Sequence, residues 1–261
     1  MTSAQTMLTT GPRRGAAARW ARMLSALCVG ACLLAGCRAK PELVPPGVLV
    51  SPYAADAAFA VIPPRNESGA SFVDPDLIGD RLVAALAQTR GLRCVPLNRT
   101  IEAMRALGLP SVSSAQEANA LARAMGVDAI VAGTITAYDP YNPPVFGVTL
   151  ALYPQPSLTG ARSGPLDDPR LLGMQATDAG YTGAAGSDPV AVEAVHLDAR
   201  SHDVLLKLQR YAEGRRESGT ALDWRIYTAS MDLFTEFGAH EAVRGLLDHE
   251  WLRLARHAAG Q

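Results

Sequence analysis

The five histidines are the first candidates for chemistry, because all of them lie in the last quarter of the chain: His196, His202, His240, His249 and His257. A zinc-protease helix needs the spacing His-Glu-x-x-His, which places both imidazoles on one helix face. His240 and His249 are each followed by a glutamate, but neither has the second histidine that the motif requires. His249 and His257 would lie about 12 Å apart along a helix, too far to share an ion. We therefore predict no metal site, and histidines that are hydrogen-bonded or solvated.

Other catalytic patterns are also missing from the sequence. It contains no Gly-x-Ser-x-Gly elbow, no phosphate-binding P-loop and no dinucleotide fingerprint. Asp74 and Asp76 form a carboxylate pair, but they stand where a helix begins, and carboxylates there favour the helix dipole. We expect no catalytic residue and no cofactor.

The N-terminal segment has the charge and hydropathy order of a secretory signal. Four arginines at positions 13–22 precede an apolar run over residues 23–36. At about 14 residues the run is shorter than the ~20 that a membrane-spanning helix needs, so we predict a cleaved signal. The arginine pair at 13–14 is followed by Gly15 and Ala16 instead of bulky apolar residues, which disfavours a twin-arginine signal.

The end of this run carries the most specific motif of the chain. Leu34-Ala35-Gly36-Cys37 resembles the lipobox of bacterial lipoproteins. The resemblance implies cleavage between Gly36 and Cys37 and attachment of diacylglycerol to the Cys37 sulfur. Two or three acyl chains, at roughly 0.8 kcal/mol per buried methylene, hold a soluble domain on a membrane. The alternative is an ordinary signal with a cysteine at its end by chance.

The residue after Cys37 indicates which membrane holds the protein. Arg38 stands where lipoproteins retained in the inner membrane of enteric bacteria carry aspartate. The resemblance therefore points to the outer membrane, with the domain facing the periplasm.

The composition of the mature chain limits its partners. Residues 1–36 hold four of the 24 basic residues and none of the 25 acidic ones, which leaves a net charge of about −5. A mildly acidic chain argues against nucleic-acid binding. Cys28 and Cys32 leave with the signal, so Cys94 has no intramolecular partner if Cys37 is acylated. Its apolar setting predicts a buried, inert thiol.

The order of elements predicts an α+β fold: a mixed sheet of four to five strands with helices packed on it, plus C-terminal helices. Apolar runs, Pro and Gly punctuation and a capping box at Ser114 give strand, helix, strand, two helices and a hairpin between residues 58 and 154. A last strand over residues 190–197 should lie beside the hairpin. Gly238 is expected to divide the C-terminal helical region, whose aromatic residues either cover the sheet or form a groove for a partner; we favour covering.

The predicted organisation has five parts: a signal peptide (1–36), an acylated, proline-rich tether (37–57), an α+β domain (58–154), a flexible insertion (155–189), and a last strand with C-terminal helices that complete the domain (190–261). Prolines favour an extended tether. Alternatively, residues 48–50 add an edge strand to the domain.

Two segments carry a further family resemblance. Phe59-Ala60-Val61-Ile62-Pro63, with Asn66 and Ser68-Gly69, resembles the VLPF-N-SG opening of one envelope family. That family includes the amino-terminal domain of the Tol propeller protein, the curli secretion channel lipoprotein and the lipoprotein activators of penicillin-binding proteins. Residues 121–134, LARAMGVDAIVAGT, resemble its later signature LGVDYVLEGSV. Pro64 replaces the usual phenylalanine, and the insertion after the hairpin is longer than usual.

The resemblance implies a non-catalytic protein of the cell envelope. Our first hypothesis is an outer-membrane-anchored periplasmic adaptor or activator that binds another envelope protein of unknown identity. The second is a homo-oligomeric channel or secretion subunit of the curli-channel type. A pore needs long alternating strands, and residues 155–189 lack them. The third is an enzyme, which requires a cleft with clustered acid and base residues.

Overall fold

A six-stranded mixed sheet forms the centre of the protein. The structure, a computed structural model, describes residues 47–159, 189–215 and 221–259. The strand order is β3-β1-β4-β5-β6, and the short β2 pairs with β4. β1 pairs in parallel with β3 and β4, whereas β4-β5 and β5-β6 are antiparallel. The strands are β1 Ala57–Val61, β2 Arg65–Asn66, β3 Leu92–Val95, β4 Ala129–Asp139, β5 Val145–Pro154 and β6 Ala191–Asp198.

Helices pack on both faces of this sheet, which confirms the predicted α+β class. A single 3-10 turn, Asp223–Arg225, also occurs in the described residues. The helices are α1 Pro75–Ala87, α2 Leu97–Ala106, α3 Ala115–Met125, α4 Pro156–Thr159, α5 His202–Ala212, α6 Ile226–Ala229 and α7 Met231–Ala259.

Local chemistry explains where α1 and α3 begin. The Asp74 carboxylate accepts hydrogen bonds from the backbone N–H groups of Asp76 (3.0 Å) and Leu77 (3.3 Å), at the start of α1. Ser114 and Glu117 form a complete capping box at the start of α3. Both caps satisfy N–H groups that have no partner inside the helix, as the sequence predicted.

The two sheet faces are covered to different extents. On the first face, α1 and α7 enclose the large core, which includes Phe59, Leu82, Phe146 and Phe234, all fully buried. On the second face, α2 and α3 enclose a smaller cluster around Ile130. Beyond these helices, the second-face side chains of β6 are exposed: Val192, Ala194 and His196.

The hairpin and the last strand were predicted correctly. β4 and β5 pair over their lengths, with a register irregularity between Ile135 and Ala137. β6 pairs with β5 on the far side of the hairpin, from Val145↔Asp198 to Leu152↔Ala191. The tether contributes a single parallel bridge, Val50↔Arg90, in place of an edge strand of several residues.

The predicted division of the C-terminal region at Gly238 is wrong. α7 runs unbroken through this glycine, and Ser230 precedes the helix. A Cβ at Gly238 would overlap the ring of Phe146 and lie 2.7 Å from its Cε1 atom. The glycine therefore permits close packing of helix on strand and does not end the helix. α7 covers the sheet, as favoured, and buries Phe234 and Phe237.

A smaller correction concerns Leu97. The sequence places it at the end of the second strand with Asn98 as a helix cap, but β3 ends at Val95 and α2 begins at Leu97. Pro96 occupies the cap position without a side-chain hydrogen bond. Leu97 is buried, and its Cδ2 atom would lie 2.8 Å from a Cβ on Gly79.

Several sequence predictions lie outside the described residues. These are the signal peptide over residues 1–36, the acylation site at Cys37 and most of the insertion over residues 155–189. In the part of the chain that the structure describes, no helix combines the length and apolar character needed to cross a membrane.

Candidate protein-binding groove

A groove of about 730 Å³ opens on the second face of the sheet, beside α2 and α3. We call it the motif groove, because segments of both family-like motifs line it. The residues that follow β1 form one wall, and the connection between α2 and α3 forms the opposite wall. The lining residues are Ile62, Pro63, Pro64, Arg65, Asn66, Pro75, Asp76, Ile101, Met104, Arg105, Leu109, Pro110, Ser111, Val112, Ser113, Ser114, Ala132, Gly133, Thr134, Thr149, Ala151 and Tyr153.

The sheet supplies the floor of the groove. On the paired strands β4 and β5, Ala132 lies opposite Ala151 and Thr134 lies opposite Thr149. Alternation along a strand places these four side chains on the same face as Ile130. All four are short and half-buried, so the floor is shallow and accessible.

Pro64 occupies a space that two glycines provide. A Cβ at Gly133 would lie 3.0 Å from the Cβ of Pro64, and a Cβ at Gly79 would lie 3.4 Å from its Cδ. Pro64 is buried between β4 and α1. Pro64, which stands where the similar motif has phenylalanine, is therefore accommodated because Gly133 and Gly79 have no side chains.

The loop after β2 is built from its own side chains. The Asn66 Oδ1 atom accepts hydrogen bonds from the Ser68 N–H (3.1 Å) and hydroxyl (2.7 Å). The Asn66 amide donates to the Ala70 carbonyl at 2.8 Å, and Gly69 has a φ of 78°. Asparagine, serine and glycine at this spacing therefore stabilise a turn. This turn holds in place the groove wall to which Asn66 belongs.

The opposite wall is fixed by the capping box of α3. The Glu117 carboxylate accepts hydrogen bonds from the Ser113 N–H at 2.7 Å and hydroxyl at 3.1 Å. The backbone hydrogen bond from Ser113 is the main reason that the pKa of Glu117 lies below its usual value. The capping box thus anchors the end of the connection that carries Leu109 and Val112.

The groove has the chemistry of a binding surface. Its walls present apolar side chains such as Met104, Leu109 and Val112. Its charged side chains, among the described residues that line it, are Arg65, Arg105 and Asp76. Arg65 is paired with Glu67 at 3.0 Å outside the groove. A groove lined by both apolar and polar side chains suits a segment of another protein.

Of the candidates for chemistry, Asp76 lines this groove, whereas the histidines of the described residues and Cys94 lie outside its lining. The His249 Nδ1 atom is 2.7 Å from the Val192 carbonyl, and the ring of His240 packs on Tyr211 with centroids 4.9 Å apart. Within the described ranges, no three His, Cys, Asp or Glu side chains are placed to hold a metal ion. Cys94 is half-buried, and burial raises the pKa of its thiol to about 12, consistent with an inert thiol.

Sequence reasoning missed the connection between α2 and α3 as a groove wall. It identified both helices and the capping box at Ser114 but assigned no role to residues 109–113. The available signal was a pair of apolar residues, Leu109 and Val112, in a short loop between two helices. Whether these residues line a groove depends on which sheet face lies opposite them, and local sequence does not reveal that.

Comparisons with solved structures find fold-level similarity at low identity. The LpoB C-terminal domain from Escherichia coli is 22% identical with a TM-score of 0.30, over 38% of this chain and 73% of that one. A lipoprotein from Neisseria meningitidis is 16% identical with a TM-score of 0.34, over 63% and 99%. The PelC dodecamer from Paraburkholderia phytofirmans is 15% identical with a TM-score of 0.25, over 43% and 68%.

No protein-family model and no curated protein matches the chain. Because the identities and TM-scores of the solved structures are low, the function of the chain is inferred from its own residues.

Proposed function

We propose that this chain is a lipoprotein of the bacterial outer membrane, acylated at Cys37, whose periplasmic domain binds another envelope protein through the motif groove and catalyses no reaction itself. The observation that carries the proposal is the meeting of two motif segments at one groove. Residues after β1 form one wall, and Gly133 and Thr134 of β4 contribute to the floor. They are about 70 positions apart in the sequence and serve one surface.

The anchor and the groove support the same role. The lipobox-like Leu34-Ala35-Gly36-Cys37 supplies a stable membrane attachment, so a partner in the same envelope is met at high effective concentration. The groove supplies a surface of mixed apolar and polar side chains that includes Arg105 and Asp76. Adaptors need a location and a binding surface, and these residues can provide both.

The anchor is tested in the natural host. Mass spectrometry of the mature protein should find acyl chains on Cys37, and Cys37→Ser should move the protein from the membrane to the soluble fraction. A bare thiol at Cys37, or unchanged membrane retention of the variant, would contradict the anchor.

The groove is tested by site-specific crosslinking from native membranes. A photoreactive amino acid at Leu109, in the groove wall, should capture one envelope protein. The same probe at Leu206, which is 36% exposed on α5 and outside the groove lining, is the matched control. Ala151→Arg should abolish the crosslink by filling the floor, whereas Leu206→Arg should leave it intact. An equal crosslink from both probe positions would refute binding in the groove.

An oligomeric channel or secretion subunit is the second candidate, and one feature favours it. β6 stands at the end of the strand order, and Val192 on this strand is 45% exposed. An edge strand can pair with another chain. Self-crosslinked ladders from a probe at Val192, without a second protein, would favour the oligomer.

A further inference from the structure

Four large apolar side chains are exposed where the tether enters the domain: Val48 (51%), Val50 (47%), Trp251 (47%) and Leu252 (53%). We call them the tether-end patch. The Trp251 Nε1 group donates a hydrogen bond to the Val50 carbonyl at 3.4 Å, so the two segments are in contact. Val48 is two residues from Val50, and Leu252 is next to Trp251 on α7. Residues about 200 positions apart in the sequence therefore form one apolar surface.

The backbone holds the tether side of this patch in place. The Arg90 N–H donates to the Leu49 carbonyl at 2.8 Å, and the Ser51 N–H donates to the Arg90 carbonyl at 2.9 Å. These bonds flank the bridge between Val50 and Arg90. Val48 and Val50 are therefore presented to solvent by a paired segment.

A buried ionic cluster holds the helix side. The fully buried Glu250 carboxylate accepts hydrogen bonds from the Arg253 Nε and Nη2 groups, at 2.7 and 2.6 Å. It also accepts one from the Tyr53 hydroxyl at 3.0 Å. Because Tyr53 lies three residues after Val50 and Glu250 directly precedes Trp251, this cluster fixes the two halves of the patch relative to each other.

After Trp251, the charged residues of α7 are basic, although Arg253 is paired with Glu250 and the exposed Asp248 lies one turn before the patch. From Trp251 to its end at Ala259, α7 contains Arg253, Arg256 and His257 and no acidic residue. Leu252 and Arg256 are four positions apart and so share a helix face. Exposed apolar residues, a tryptophan and a neighbouring exposed arginine are typical of surfaces that bind the headgroup region of anionic membranes.

The patch is also within reach of the proposed anchor. Ten residues separate Cys37 from Val48, and a fully extended chain of this length spans at most about 35 Å. We infer that the tether-end patch is a membrane-contacting surface that binds the bilayer holding Cys37. Trp251 and Leu252 enter the headgroup boundary, and Arg256 faces anionic lipid. The inference rests on the proposed lipid anchor, which keeps the patch near the bilayer.

The test measures tryptophan quenching by lipid. Full mature chains with Cys94→Ala, in which Cys37 is the remaining thiol, are coupled through Cys37 to a maleimide phospholipid. The vesicles contain phosphatidylethanolamine and phosphatidylglycerol with brominated acyl chains. In Trp224→Phe, Trp251 is the remaining tryptophan of the mature chain, and bromine should quench it. In the matched Trp251→Phe chain, Trp224 should not be quenched.

A second pair of variants tests the apolar contact. In the Trp224→Phe background, Leu252→Ser should lower the quenching of Trp251 about twofold, because a half-exposed leucine no longer enters the lipid. Leu222→Ser is the matched control, since Leu222 is 49% exposed and lies outside the patch. It should leave the quenching unchanged.

Three results would overturn the inference. If bromine does not quench Trp251 on the coupled vesicles, the patch does not contact the membrane. If the same chain sediments with twice its mass, the patch binds a second copy of the chain instead. Equal quenching of Trp224 and Trp251 would show adsorption without a specific surface. Because coupling imposes the attachment chemically, these results are independent of natural acylation, which mass spectrometry of Cys37 tests separately.

Discussion

Replacement of Gly238 by alanine tests how α7 packs on the sheet. In an exposed helix interior, glycine to alanine stabilises by about 1 kcal/mol. At Gly238, however, the new Cβ would overlap the ring of Phe146 and lie 3.4 Å from the Leu197 Cδ1 atom. Phe146 is fully buried and cannot turn away, and overpacking of a core costs about 1–3 kcal/mol. The overlap with the ring places this cost at the upper end of the range, and the helix-propensity gain of about 1 kcal/mol offsets part of it. We therefore expect Gly238→Ala to lower the free energy of unfolding by about 2 kcal/mol.

Gly245 provides the matched control in the same helix. Its added Cβ would lie 2.5 Å from the Cδ atom and 2.8 Å from the Cγ atom of Glu193. The Glu193 side chain is 20% exposed and flexible, so it can rotate and give up only a 3.5 Å contact with His249. A weak ion pair of this kind is worth about 0.5 kcal/mol or less. We expect Gly245→Ala to change stability by no more than about 0.5 kcal/mol.

Urea unfolding of the unacylated mature chain, carrying Cys37→Ser, measures both effects. With a slope near 2 kcal/mol per molar urea, the two alanine variants should differ by about 1 M in midpoint. Phe146→Leu should partly rescue Gly238→Ala, because leucine has no ring edge at this contact. If Gly238→Ala were as stable as Gly245→Ala, the close contact of helix and ring would be wrong.

Three further predictions use the same unfolding assay. Asp74→Ala should cost about 1 kcal/mol, because α1 loses its N-cap; no loss would show that the cap is dispensable. Glu250→Gln should cost about 2 kcal/mol, because Arg253 loses a buried ionic partner, whereas the exposed Asp248→Asn should be nearly neutral; equal effects would refute the buried cluster. Burial raises the pKa of Cys94 from 9.0 to about 12, so the unfolded chain loses this proton first. The free energy of unfolding should therefore fall between these pH values by up to about 1.4 kcal/mol per pH unit. If the Cys94→Ala variant loses stability with rising pH as steeply as the original chain, the assignment to Cys94 is wrong.

Elements specified by neighbouring residues were predicted correctly. The apolar run around Phe59 and the capping box at Ser114 act within a few positions of the chain, so they can be identified without knowledge of the fold. The pairing of β6 with the hairpin was also predicted, since an apolar strand after a hairpin has an open edge beside it.

Gly238 shows why other predictions failed. A glycine in a helical pattern is consistent with a helix end or with close packing against another element, and only the position of Phe146 decides between them. Trp251 presents the same difficulty. Its helical spacing is consistent with core or surface, and the structure places it beside Val50, about half exposed.

The sequence alone determined the α+β class, the boundaries of most strands and helices, and the resemblance of Leu34-Ala35-Gly36-Cys37 to a lipobox, because these depend on composition and short-range spacing. Only the tertiary structure decided that Pro64, Leu109 and Thr149 line one groove, and that Val50 and Trp251 form one surface. Such residues are brought together by strand pairing and helix packing, which depend on the whole chain.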